Sequence, residues 1–250
     1  MKDALHAAAA KRWGWRHVEV LVLFAALSTA ITHRVCLSVA VVDMTAPDNG
    51  DGQQRFDWLP AEKSTVLGCF LWGYMLSQVA GGTLSSRGGA TRILTAALFL
   101  SGALTALVPL AATTGGWAAV AGLRVATGVV QCVYPTSYTL LGRWVPLAER
   151  SRAGALILAS QPVGNVVAMA SSGWLAYAWG WPSVFYVFGG LGLLAAIMVF
   201  LVSEDSPETH PRISAEEREY IVQPSTTAST LMETNSSLVW RSSDSQVSSV

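Results

Sequence analysis

VEVLVLFAALSTAITHRVCLSVAVV, residues 18–42, decides the fold of this chain. A helix needs about 20 mainly apolar residues to cross a hydrocarbon core about 30 Å thick. This run meets that length and carries one arginine, Arg34, well inside it. A charge at the centre of a span costs at least ~2.5–3.5 kcal/mol, so it is rarely present without a role. A second long apolar run, WAAVAGLRVATGVVQCVYPTSYTLL (117–141), carries Arg124 in the same manner.

Working outward, four more runs have the length of a span: Thr65–Leu84, Ile93–Thr113, Ala153–Ala178 and Val184–Val202. The composition agrees, with 52% hydrophobic and 13% charged residues and a mean hydropathy of +0.42. A soluble domain carries roughly 25% charged residues. Helices are expected rather than barrel strands, because the runs are long and uniformly apolar. The expected fold is an all-α membrane protein with six transmembrane helices over residues 18–202. Residues 1–17 form a basic N-terminal segment, 203–221 a polar segment, and 222–250 a Ser/Thr-rich tail read as disordered.

Lysine and arginine positions orient the bundle. Lys2, Lys11, Arg12 and Arg16 precede span one, Arg87 and Arg92 follow span two, and Arg143, Arg150 and Arg152 follow span four. The loops after spans three and five carry none. The positive-inside rule then places both ends in the cytoplasm. A cleaved signal peptide is the rival reading of span one, but its removal would upset the charge parity of every later loop. The three cysteines, Cys36, Cys69 and Cys132, lie in apolar runs without metal-ligand spacing and read as small core residues. No Walker loop, HExxH or GxSxG is present, so nothing supports ATP-driven pumping or hydrolysis. A zero net charge gives no argument for nucleic acid.

Arg34 lies eight residues before the outer end of span one, and Arg124 seven after the outer start of span four. At 1.5 Å per residue both sit about 10–12 Å below the outer surface. Two guanidiniums at one depth suit a single carboxylate or phosphate. His33, Tyr74 and Gln131 are further candidate substrate contacts, with Gln78, Tyr134 and Gln161 as possible hydrogen-bonding neighbours. Each has a structural alternative. A buried arginine also serves by holding backbone carbonyls, a histidine by packing, and a glutamine by bridging helices. Glycines recur in spans two to six and let helices approach closely. Pro135 and Pro162 are candidate breaks or kinks.

Several motifs together resemble the major facilitator superfamily and, within it, the anion and phosphate transporters of solute carrier family 17. They are HRVCLSVA (33–40), GCFLWGYMLSQVAGG (68–82), RWVPLAERSR (143–152), SGWLAYAWGWPSVFYVFGGLG (172–192) and SPETHPRISAEEREYI (206–221). That group includes sialin and the vesicular glutamate and nucleotide transporters. The resemblance implies a secondary transporter working by alternating access, with Arg34 and Arg124 in anion recognition. It implies no cofactor beyond a coupling ion such as H+, Na+ or Cl−. It also implies a vesicular, lysosomal or plasma membrane. The substrate class would be nucleotide, sialate, glutamate or phosphate.

The chain departs from the family in places. The family's gating loop corresponds to Gly82, Ser86, Arg87 and Gly89, with serine where the family has an acid. Gln131 stands where many members have a glutamate linked to proton coupling. Leu67 or a neighbour replaces the histidine of glutamate carriers. The resemblance ends near Ile221, so the chain is expected to be an N-terminal half. It would be either a truncated form of a transporter or a half-transporter that moves nothing alone and pairs with another chain.

Overall fold

The computed structural model describes residues 13–47 and 54–221. The expected disordered tail, 222–250, and most of the N-terminal segment lie outside the described residues. Seven helices are delimited: α1 Trp15–Met44, α2 Pro60–Gly88, α3 Ala90–Ala106, α4 Val108–Val130, α5 Val133–Trp144, α6 Leu147–Trp179 and α7 Trp181–Val202. A further short helix covers residues 215–221.

These helices make six crossings. The Leu107 N–H reaches the Ala103 carbonyl at 3.1 Å, and the Ala111 N–H reaches Leu107 at 3.0 Å. The helical hydrogen bonds therefore run on past Pro109, which forfeits only the one bond its missing N–H would give the Thr105 carbonyl. The chain reverses inside α4 at Gly116, where φ is 61° and ψ −153°, a conformation open to glycine alone at low cost. The third crossing thus ends at 115 and the fourth begins at Trp117, where the sequence places it. The fourth is interrupted at Gln131 (φ −86°, ψ 53°) and Cys132 (φ −81°, ψ 32°). Pro135 explains the interruption: its ring would strike the carbonyl of the residue four earlier, Gln131, in a continuous helix. Pro162 lies inside α6 without dividing it.

The second crossing starts earlier than the apolar run suggests. Pro60 occupies the first turn, and the Glu62 carboxylate accepts the Leu59 N–H at 2.8 Å; both are helix-start signals independent of hydropathy. Four stretches are long and apolar enough to cross a membrane by length and composition: Trp15–Met44, Val108–Trp144, Leu147–Trp179 and Trp181–Val202; in the second of them the crossing itself runs from Trp117, after the reversal at Gly116. α2 is equally long but carries Ser77, Gln78, Ser85, Ser86 and Arg87.

The closest pairings are span one with five, two with four and three with six, with six also against one. Lipid gives no hydrophobic drive for helices to associate, so small residues and close backbone contact carry the packing. At Gly128 an added Cβ would stand 2.3 Å from the Phe70 carbonyl oxygen, and at Gly73 2.2 Å from that of Val125. Spans two and four therefore touch backbone to backbone. Gly102, Gly189 and Gly192 do the same between spans three and six, and Gly164 meets the Ser28 carbonyl between five and one.

Two apolar clusters result. One, around Leu23, Leu94, Trp144, Ile157 and Val199, lies towards the arginine-rich end. The other, around Met44, Trp58, Val66, Trp181 and Phe185, lies towards the opposite end.

Candidate functional site

Between the two clusters lies a layer of polar side chains: His33, Ser101, Thr105, Arg124, Thr127 and Gln131, all buried. Arg124 is 3% exposed. Its two terminal nitrogens donate to the carbonyls of His33 (2.8 Å) and Arg34 (2.9 Å). Its Nε has no hydrogen-bond partner among the described residues. The guanidinium therefore ties span four to span one and keeps its Nε–H uncommitted among the described residues.

Arg34 is different. It is half-buried, and no hydrogen bond or ion pair to its side chain is found among the described residues. Its guanidinium carbon lies 5.7 Å from the centroid of Phe70 and 5.8 Å from that of Tyr74, over ring faces. Arg124 lies 5.5 Å from the same Phe70 ring. Phe70 and Tyr74 stack on one another at 5.6 Å, one helical turn apart on α2. They stand there because the Gly73–Gly128 crossing brings α2 against α4. The two arginines sought from the sequence thus meet around one aromatic pair. Cation–π contact holds a guanidinium without neutralising its charge, so Arg34 keeps its donors.

The other predicted residues take defined places. His33 is fully buried, with Nδ1 3.2 Å from Ser101 Oγ and Nε2 3.0 Å from the Phe188 carbonyl. Both ring nitrogens are engaged, joining span one to spans three and six. Gln131, at the interruption of the fourth crossing, donates through Nε2 to the Ala30 carbonyl of span one at 2.8 Å. Gln78 donates to the Gln131 carbonyl at 3.4 Å, which the break leaves without a helical partner. Gln161 is exposed on α6.

Of the loop residues, Ser86 and Arg87 are exposed at the end of α2, Gly82 faces Pro135, and Gly89 has a positive φ of 87°. Phe70 was not singled out from the sequence. Its signal was its place one turn before Tyr74 and three residues from Gly73.

Three comparisons bear on this arrangement. The Major Facilitator Superfamily profile matches residues 20–243. Vesicular glutamate transporter 3 of Danio rerio is 37% identical over 196 residues, covering 75% of this chain and 33% of that protein. A Drosophila ananassae protein described as a putative inorganic phosphate cotransporter is 31% identical over 225 residues, covering 80% and 46%. The chain therefore spans about a third to a half of the length of these relatives. Among solved structures, a bacterial homologue of the human lysosomal transporter Spinster, inward-facing and unoccupied, superposes with a TM-score of 0.55. It is 19% identical and is covered over 47% of its length, against 82% of this chain; that likeness shows the fold.

Proposed function

The chain belongs to the Major Facilitator Superfamily, and we propose that it serves the transmembrane movement of a small anion, with Arg34 as the group that holds it. The carrying observation is the contrast between the two arginines. Arg124 spends two of its donor groups on span one, while Arg34 rests on Phe70 and Tyr74 with no hydrogen bond from its donors among the described residues. A planar five-donor cation on an aromatic shelf suits a carboxylate or phosphate. Vesicular glutamate transporters and a phosphate cotransporter among the relatives support that class. In this reading Arg124 sets the spacing of spans one and four, and Tyr74 bounds the anion. His33 and Gln131 act from behind, by fixing span one.

Alternating access requires a second six-helix unit rocking against this one. Spans two and five present Trp72, Met75, Leu76, Val79, Val166 and Met169 outward, which are the faces such a unit would meet. The arginine-rich end is the cytoplasmic one in this account. A vesicular or lysosomal membrane and coupling to membrane potential or an ion gradient complete it. The test is uptake of labelled inorganic phosphate and labelled glutamate into liposomes carrying the protein. Uptake of either that falls to background in Arg34→Gln, at equal inserted protein, supports the reading. Uptake that survives Arg34→Gln removes it.

A further inference from the structure

Gly14 and Gly89 precede the first turns of α1 and α3 and carry no side chain to cap them. The first N–H groups of a helix have no partner within it, yet both starts are capped from elsewhere. The Glu217 carboxylate accepts the Trp15 and Arg16 N–H groups, each at 3.1 Å. The Asp205 carboxylate accepts the Thr91 N–H at 2.8 Å. An added Cβ at Gly89 would stand 2.8 Å from Asp205 Oδ2, so only glycine leaves room for the carboxylate to reach α3.

Asp205 also lies at the centre of a knot. Its carbonyl accepts from Arg143 at 3.4 Å, and the other terminal nitrogen of Arg143 reaches the Ser86 carbonyl at 3.5 Å. Next to it, the Glu204 carbonyl accepts the Trp144 indole N–H at 2.7 Å. One short stretch after span six thus ties the ends of α2 and α5 to the start of α3.

We propose that Asp205 is a positioning residue for transport, supplying from beyond span six the acidic group that the turn between spans two and three lacks. The turn itself reads Ser85-Ser86-Arg87-Gly88-Gly89, with no carboxylate of its own. A negative charge at the start of α3 meets the positive end of its helix dipole. With Arg143 it makes the ends of spans two, three, four and six one block. The exposed Ser86 and Arg87 are then carried as a fixed edge of that block. Asp205 touches none of Arg34, Phe70 or Tyr74, so its effect falls on movement rather than on anion binding.

Amide hydrogen exchange on the whole protein in detergent tests the contact without any transport measurement. In the wild type the Thr91 amide exchanges slowly, although a first-turn amide has no partner in its own helix. Asp205→Ala speeds exchange several-fold over residues 89–93, and Asp205→Asn, which keeps an acceptor oxygen, restores protection. Glu217→Ala speeds exchange at residues 15 and 16 and leaves 89–93 unchanged. Asp205→Ala with wild-type exchange at 89–93 overturns the proposal. Should that variant not fold, fast exchange of Thr91 in the wild type overturns it equally. The transport arm rests on the function proposed above: Asp205→Ala lowers maximal uptake of labelled phosphate or glutamate with KM unchanged. A raised KM with unchanged maximal rate contradicts the positioning role while leaving the anion site of Arg34 standing.

Discussion

Replacing Gly128 by alanine puts a methyl group where α4 touches α2. The new Cβ would lie 2.3 Å from the Phe70 carbonyl oxygen and 2.8 Å from the Tyr74 nitrogen. Non-bonded heavy atoms prefer about 3.5–4.0 Å, so the two backbones must part by roughly 1 Å. Neither atom is on a side chain that can rotate away. Such overpacking typically costs ~1–3 kcal/mol, and a backbone clash belongs at the upper end. The helix-propensity gain of glycine to alanine, ~1 kcal/mol, offsets part of this and leaves a net loss of ~2 kcal/mol. Gly122 on the same helix is the control, because an added Cβ there meets nothing within 4 Å. The assay is thermal unfolding of the purified protein in detergent, followed by tryptophan fluorescence. Gly128→Ala lowers the midpoint, and Gly122→Ala holds or raises it. Equal midpoints for the two variants would refute the claim that spans two and four meet backbone to backbone, and with it the placing of Phe70 and Tyr74.

Three further outcomes are expected. His33→Ala leaves Ser101 Oγ and the Phe188 carbonyl without their ring partner and opens a void beside Gly192. The loss is about 2–4 kcal/mol, read as a lower unfolding midpoint with no pairing of the effect to anion concentration. Arg16→Ala removes the Glu149 carboxylate's partner at 2.9 Å, leaving it the Tyr220 hydroxyl at 3.4 Å, and weakens the hold on Glu217. Losing a charge-assisted hydrogen bond to a partly exposed carboxylate costs ~1.5–3 kcal/mol, so this variant loses yield and protease resistance at that end. Gln131→Ala removes the 2.8 Å bond that ties the helix interruption to Ala30 of span one. It costs about 1 kcal/mol, checked as increased reactivity of Cys132, the next residue, towards a maleimide.

The six crossings were legible because each needs one long apolar run, and the runs at Val184–Val202 and residues 18–42 are unambiguous. The glycine at 116 and the proline at 135 carried the third–fourth turn and the break in the fourth crossing in their own backbone chemistry. The start of the second crossing was less legible, since Pro60 and Glu62 act through capping and lie outside the apolar run. Arg34 and Arg124 were found by their charge, and their common depth followed from counting residues. What separates them was not readable: it depends on which helix backbone each guanidinium meets, and that is set by the Gly73–Gly128 crossing. The capping of α1 and α3 by Glu217 and Asp205 was out of reach for the same reason, being a contact between residues more than 100 apart in sequence.

The most direct test of the central claim is a titration of the purified protein with inorganic phosphate and with glutamate by calorimetry, comparing wild type, Arg34→Gln and Arg124→Gln. The account predicts that Arg34→Gln abolishes anion binding while its unfolding midpoint stays near that of the wild type. Arg124→Gln instead lowers the midpoint, because two carbonyl contacts between spans one and four are lost. Wild-type anion affinity in Arg34→Gln would contradict the account.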